Sequence, residues 1–140
     1  MAATPGLAAT LDHTVSERDT AAAVGSGDVP VLATPTLLAL AERATVQALV
    51  GALDPGVTSV GVRVELDHLA ASPVGVAVRV EAILDRVEDR TLYFRVRVLE
   101  GERLAARGLV VRVLVDRAAF LRAAAPTPRR GGQMPEVDRG

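Results

Sequence analysis

The sequence predicts an α+β fold, with one long central helix wrapped by a curved antiparallel sheet of about five strands. Three observations carry the prediction. Residues 36–53, TLLALAERATVQALVGAL, are good helix formers with no proline and a single glycine near the end. Four later stretches, residues 58–69, 74–87, 91–99 and 104–115, alternate or run in branched aliphatics as strands do. Hairpin-length connections between these stretches make successive strands antiparallel neighbours.

In chain order, residues 7–15 alternate weakly and form a first strand. Ser16-Glu17-Arg18-Asp19 has the form of a capping box opening a short helical turn. Residues 25–30, GSGDVP, are a loop. Thr34 precedes Pro35, and proline is favoured at the first helical position, so Thr34 is expected to cap the helix. Asp54-Pro55-Gly56 stops it. Leu38, Ala41, Thr45, Leu49 and Ala52 share one helix face, while Leu40 and Ala44 lie elsewhere on the circumference. A helix apolar on most sides needs wrapping, which a curved sheet provides.

In the stretch 58–69, Val60, Val62, Val64 and Leu66 fall on one face, and Arg63, Glu65 and Asp67 on the other. The next turns are Glu88-Asp89-Arg90 and Glu100-Gly101-Glu102. Residues 116–124 add a short helix. Residues 125–140, with their Pro, Arg and Gly, read as a disordered tail behind a single domain of residues 1–124. One helix laid on about five strands is the hot-dog arrangement.

Composition narrows the function. The 16 basic residues, all arginine, offset 17 acidic ones to a net charge of -1. That balance offers no footprint for nucleic acid or an anionic membrane. Cysteine is absent, which excludes disulfides and a thiol nucleophile. Two histidines without cysteine predict no metal site, and no other cofactor is expected. Phosphate-cradling glycine motifs and Ser–His–Asp arrangements are not visible. No run of about 18 uncharged apolar residues occurs, so no membrane span is expected. Residues 1–15 lack a basic start and a continuous apolar run; a cytoplasmic protein without a signal peptide is expected.

Three polar residues stand out. Glu42 lies about 40° from Leu38 and about 60° from Thr45 on a helical wheel, inside the apolar sector. A carboxylate there is costly unless hydrogen-bonded or neutralised. It is either an edge residue reaching out to an arginine or a functional group. His68 shares parity with Val62, Val64 and Leu66 and so points at the helix. A lone histidine in that position is a satisfied core residue or a catalytic one; together with Glu42 it forms a candidate acid–base pair. Thr34 either caps the helix or sets a hydroxyl where backbone N–H groups converge, a place suited to polarising a carbonyl. His13, beside Asp12, reads as solvated.

Val31-Leu32-Ala33-Thr34, then Glu42 eight residues on and His68 twenty-six further, resembles the fluoroacetyl-CoA thioesterase group of hot-dog proteins, whose catalytic Thr, Glu and His show both spacings. Leu53-Asp54-Pro55-Gly56 is similar to the turn after that group's helix, and residues 67–73, DHLAASP, to its histidine segment. Arg112 falls where the group has an arginine near the site, and Gly61 where a glycine amide faces the thioester carbonyl. The resemblance covers roughly residues 31–120. It implies hydrolysis of an acyl-CoA thioester. Glu42 would be nucleophile or base for a water, Thr34 would orient Glu42 or the substrate, and His68 would be the acid–base group. The Gly61 amide would help hold the oxyanion. It also implies a homodimer with sites between subunits, with pairing into a dimer of dimers as a further step.

The chain departs from the group at one place. The group's fluoroacetyl-specific member has a lid whose phenylalanines close over the acyl pocket. Here residues 21–27, AAAVGSG, are small and expected to be flexible, and no aromatic residue precedes Tyr93. Thioester hydrolysis without fluoroacetyl selectivity is the expectation. Two other functions remain open: an acyl-CoA-binding module without turnover, and a hot-dog enoyl-CoA hydratase, which residues 25–30 resemble faintly.

Overall fold

The structure, a computed structural model, describes residues 3–126. The tail expected from residue 125 lies, from residue 127 onward, outside the described residues. Strand β1 (Ala8–Thr14) leads through a 3₁₀ turn (Glu17–Asp19) to helix α1 (Ala21–Val24) and the long helix α2 (Thr34–Ala48). Then come β2 (Val57–His68), β3 (Ala77–Glu88), β4 (Thr91–Glu100), β5 (Arg103–Asp116) and the short helix α3 (Arg117–Ala123). All five strands form one antiparallel sheet in the order β1-β3-β4-β5-β2. No helix among the described residues is long and apolar enough to cross a membrane.

This order corrects one expectation. β2 and β3 are not neighbours: β2 pairs with β5 along the outer edge, and β3 pairs with β1 and β4. The link over residues 69–76 is a crossover, held by bonds too local for strand patterning to reveal. Leu69 and Ala70 donate to the Ala105 carbonyl, Leu32 donates to Ser72 O, and Gly75 donates to Val15 O at the far side. The two hairpins proper, β3–β4 and β4–β5, form as expected, the first with Asp89 at φ 53°, a left-handed conformation that aspartate tolerates.

The core fills the space between α2 and the inner sheet face. Leu37, Leu40, Ala41, Ala44, Thr45 and Ala48 are buried along the helix against Val78, Val80, Leu84, Leu92, Phe94, Val96, Val98 and Val110. Leu40 and Ala44 thus belong to the buried face, and Leu38 is half-buried at its margin. The helix ends at Ala48, five residues before its expected end: Leu49, Val50 and Ala52 bond three residues back, and Gly51 takes φ 78°. At the other end Ala33 is the N-cap, so Thr34 is the first helical residue and Pro35 the second. Thr34 is thereby freed from capping.

β2 contains a bulge. Gly61 faces Arg112 and Arg63 faces Val111, which leaves Val62 unpaired and well exposed. An extra residue reverses the side-chain alternation. Val64, Leu66 and His68 face the helix as expected, but before the bulge Ser59 and Gly61 take that face in place of Val60 and Val62.

Candidate active site

The residues singled out from the sequence gather in two clusters along the seam between α2 and β2. At the start of the helix, the Thr34 hydroxyl and His68 Nδ1 share a hydrogen bond of 2.7 Å. Pro35 at the second helical position and the Ala33 N-cap fix the Thr34 backbone, while the end of β2 carries His68. His68 Nε2 is buried and meets no hydrogen-bonding group among the described residues. When both ring nitrogens carry protons, Nδ1 donates to the Thr34 oxygen and Nε2–H is left to deliver a proton, which returns the ring to neutral.

Two turns along the helix, Glu42 projects from the margin of the buried face towards β2 and β5. Its Oε2 lies 3.4 Å from Arg112 Nη1, an ion pair in which the arginine side chain is almost fully buried and the carboxylate about one third exposed. Arg112 also donates from Nε to Ser59 Oγ at 2.8 Å and from Nη2 to Ser59 O at 3.2 Å. Burial pulls the guanidinium below its ordinary pKa, and the Glu42 charge opposes that fall. A buried arginine is costly unless its donors are matched, and here three partner atoms match them.

Gly61 completes this cluster by lacking a side chain. A Cβ at position 61 would collide with Glu42 Oε2 and come within 3.5 Å of Arg112 Nη1. The close approach of Glu42, and not the backbone, is what favours glycine here, because its φ is not in the left-handed region.

Within one protomer, therefore, Thr34 meets His68, and Glu42 meets Arg112. Thr34 does not orient Glu42 in the same chain: eight helical residues separate them, about 12 Å of rise. Glu42 and His68 do not form a pair there either, because Gly61 and His68 stand seven residues apart on β2, roughly 20 Å along the strand. Half-buried Leu38, Val64 and Leu66 lie between the two clusters.

Ser59 was not singled out from the sequence. Its only signal is a small hydroxyl two residues before Gly61, and ordinary alternation assigns it to the outer face. His13 is a second correction. Instead of being solvated it is half-buried, with Nε2 2.8 Å from Asp19 Oδ2, an atom that also accepts from the Ser16 N–H and hydroxyl. The main-chain carbonyl of Asp19 accepts from Ala33 N and the Thr36 hydroxyl, which ties this residue's backbone to the start of α2. Residues 21–27, expected as a loop of small residues, include a helical turn. It spans Ala21–Val24, with Thr20 Oγ1 accepting from Ala23 N and Gly25 in the left-handed conformation at its end. Ala21 N and Ala22 N donate to Val31 O and Val29 O.

Comparison with known proteins bears on the fold and the family. The fluoroacetyl-CoA thioesterase of Streptantibioticus cattleyicolor is 41% identical over 71 residues, 51% of this chain and 51% of that protein, so the match spans about half of that relative. A solved structure of the fluoroacetyl-CoA thioesterase FlK superposes with a TM-score of 0.80 at 30% identity, covering 90% of this chain and 100% of its own. A hot-dog-like protein from Thermanaerovibrio acidaminovorans superposes with a TM-score of 0.79 at 26% identity, covering 86% and 89%. The helix-on-sheet architecture is the hot-dog fold. Two of these relatives, the Streptantibioticus cattleyicolor protein and FlK, are fluoroacetyl-CoA thioesterases. The FlK family profile, described as fluoroacetyl-CoA-specific thioesterase, matches residues 15–118, and by that match this chain belongs to the family.

Proposed function

We propose that this protein is a cytoplasmic acyl-CoA thioesterase whose active site joins the two clusters across a homodimer. The observation that carries the reading is the Glu42 carboxylate, held by buried Arg112 against the bare backbone of Gly61. A thioester carbonyl resting on Gly61 would lie beside a fixed carboxylate. Glu42 attacks that carbon directly or deprotonates the water that does, and the Gly61 N–H and the Arg112 charge stabilise the oxygen that becomes negative. The C–S bond breaks, and His68 Nε2 gives its proton to the departing thiolate. Thr34 holds His68 by its other nitrogen. In the water route the proton taken by Glu42 returns through solvent to His68. In the direct route the acyl group is left on Glu42 as an anhydride, which a water opens while its proton returns to His68. By either route the products are a carboxylic acid and free CoA.

β2 supports the dimer. It is a 12-residue edge strand. An open edge of that length invites pairing with a second copy. Antiparallel pairing about a two-fold axis near Val64 and Glu65 would set Gly61 opposite the partner subunit's His68, with both helices on one side of a continuous sheet. Glu42 of each chain would then meet the Thr34–His68 cluster of the other, with Leu38, Val64 and Leu66 as apolar floor for the acyl group. A pair of such dimers is a further step that the same reading allows.

Thiol release from a series of acyl-CoAs, from acetyl to palmitoyl and phenylacetyl, tests the function. Glu42→Gln keeps the shape of the side chain and should lower turnover at least about a hundredfold on whichever substrate is best. Wild-type protein that releases no thiol from any of them would overturn the reading, as would a variant of undiminished turnover.

A further inference from the structure

We infer that Ser59 is a positioning residue for the thioesterase site, setting the direction of Arg112 and through it the place of the Glu42 carboxylate. The inference rests on the function proposed above. Arg112 rises from the second strand of the sheet edge and is 7% exposed, so its guanidinium has no water to satisfy it freely. Two of its three anchors belong to Ser59: the hydroxyl takes Nε at 2.8 Å and the main-chain oxygen takes Nη2 at 3.2 Å. These contacts grip one edge of a planar group and turn the opposite nitrogen, Nη1, towards Glu42 Oε2. The hydroxyl reaches Nε only because the bulge at Val62 leaves Ser59 and Gly61 on the helix-facing side of β2. One irregularity thus supplies both the bare backbone beside the carboxylate and the hydroxyl that aims the arginine.

Ser59 touches neither Glu42 nor the position assigned to the thioester carbonyl. Its effect should appear in turnover and not in substrate affinity. Threonine and valine at this position have nearly the same shape and both suit a strand, but only threonine keeps the hydroxyl. The test compares Ser59→Thr, Ser59→Val and Ser59→Ala with wild type by three readouts: thermal midpoint, kcat and KM on the best acyl-CoA, and the Arg112 Nε–H resonance in ¹⁵N-edited NMR. Removing one hydrogen bond to a charged group should lower kcat of the valine and alanine variants roughly tenfold, with KM within about a factor of two. Their Arg112 Nε–H resonance should shift or exchange away, and Ser59→Thr should restore both turnover and resonance. If Ser59→Ala does not fold, the threonine–valine pair decides alone. Equal kcat and an unmoved resonance in Ser59→Val would overturn the proposal while leaving thioesterase activity intact. Wild type that releases no thiol would instead overturn the function on which it rests.

Discussion

Gly61 is the position where one added carbon should have the largest effect. The methyl of Gly61→Ala would enter space held by Glu42 Oε2, so the carboxylate must move from the place where it meets Arg112 Nη1. Misplacement of a reacting group by about 1 Å costs roughly a hundredfold in rate. Gly61→Ala should therefore lower kcat/KM by about that factor while its far-ultraviolet circular dichroism stays native; unchanged kinetics would show that nothing reactive lies beside position 61. Asp19 makes a separate, pH-dependent prediction. Burial pushes its carboxyl up, but hydrogen bonds from the Ser16 N–H, from His13 and from the Ser16 hydroxyl outweigh burial and hold the group below its ordinary 3.8. A carboxylate depressed in the folded state adds stability that is fully present above the unfolded value and lost as pH falls through the folded one. Asp19→Asn should thus melt below wild type at neutral pH, and the gap should close towards about pH 2. A gap independent of pH would contradict the assignment. At this scale the sequence was legible for Glu42 and His68, which stood out as polar groups on apolar faces. Ser59 and the His13–Asp19 pair were not. A strand bulge and a contact between two separate segments leave no periodic trace.

At the scale of elements, residues 21–27 bear on specificity. They form an ordered turn of alanines, with Ala21 buried and Thr20 and Gly25 closing its two ends. That order does not supply bulk, and nothing in Ala21–Val24 can close over a small acyl group as an aromatic lid would. One methylene's worth of contact in a fitted pocket is worth only roughly 1–3 kcal/mol, and telling C–F from C–H asks for still finer contact. The ratio of kcat/KM on fluoroacetyl-CoA to that on acetyl-CoA, divided by the ratio of their hydroxide-catalysed rates, should be near unity. Larger acyl groups should be accepted. A strong preference for the fluorinated substrate surviving that division would show that some other element supplies the discrimination. Strand positions were legible within a few residues because alternating aliphatics persist over ten or more positions. The pairing of β2 with β5 was not, because a crossover and a long hairpin look alike when only strand pattern is read. The α2 boundaries shifted for local reasons: Gly51 could take a left-handed φ, and Ala33, whose side chain cannot cap, still served as the cap residue.

For the whole molecule, the proposed active site depends on two clusters that one chain keeps apart and a second copy would join. Each cluster alone has a bland reading, a core histidine held by a threonine and a glutamate paired with an arginine, and the sequence could not show that they sit at opposite ends of one seam. Mixing two inactive variants tests the union directly. Glu42→Gln and His68→Ala, each purified alone, should release thiol from the best acyl-CoA at rates far below wild type. After unfolding and refolding together in equal amounts, half of the dimers should hold one chain of each kind. If Glu42 works with the partner subunit's His68, each mixed dimer carries one intact site, and the mixture should recover about a quarter of wild-type activity. Recovery near that level is the predicted result; a mixture no more active than its separate components would contradict a site shared between two chains.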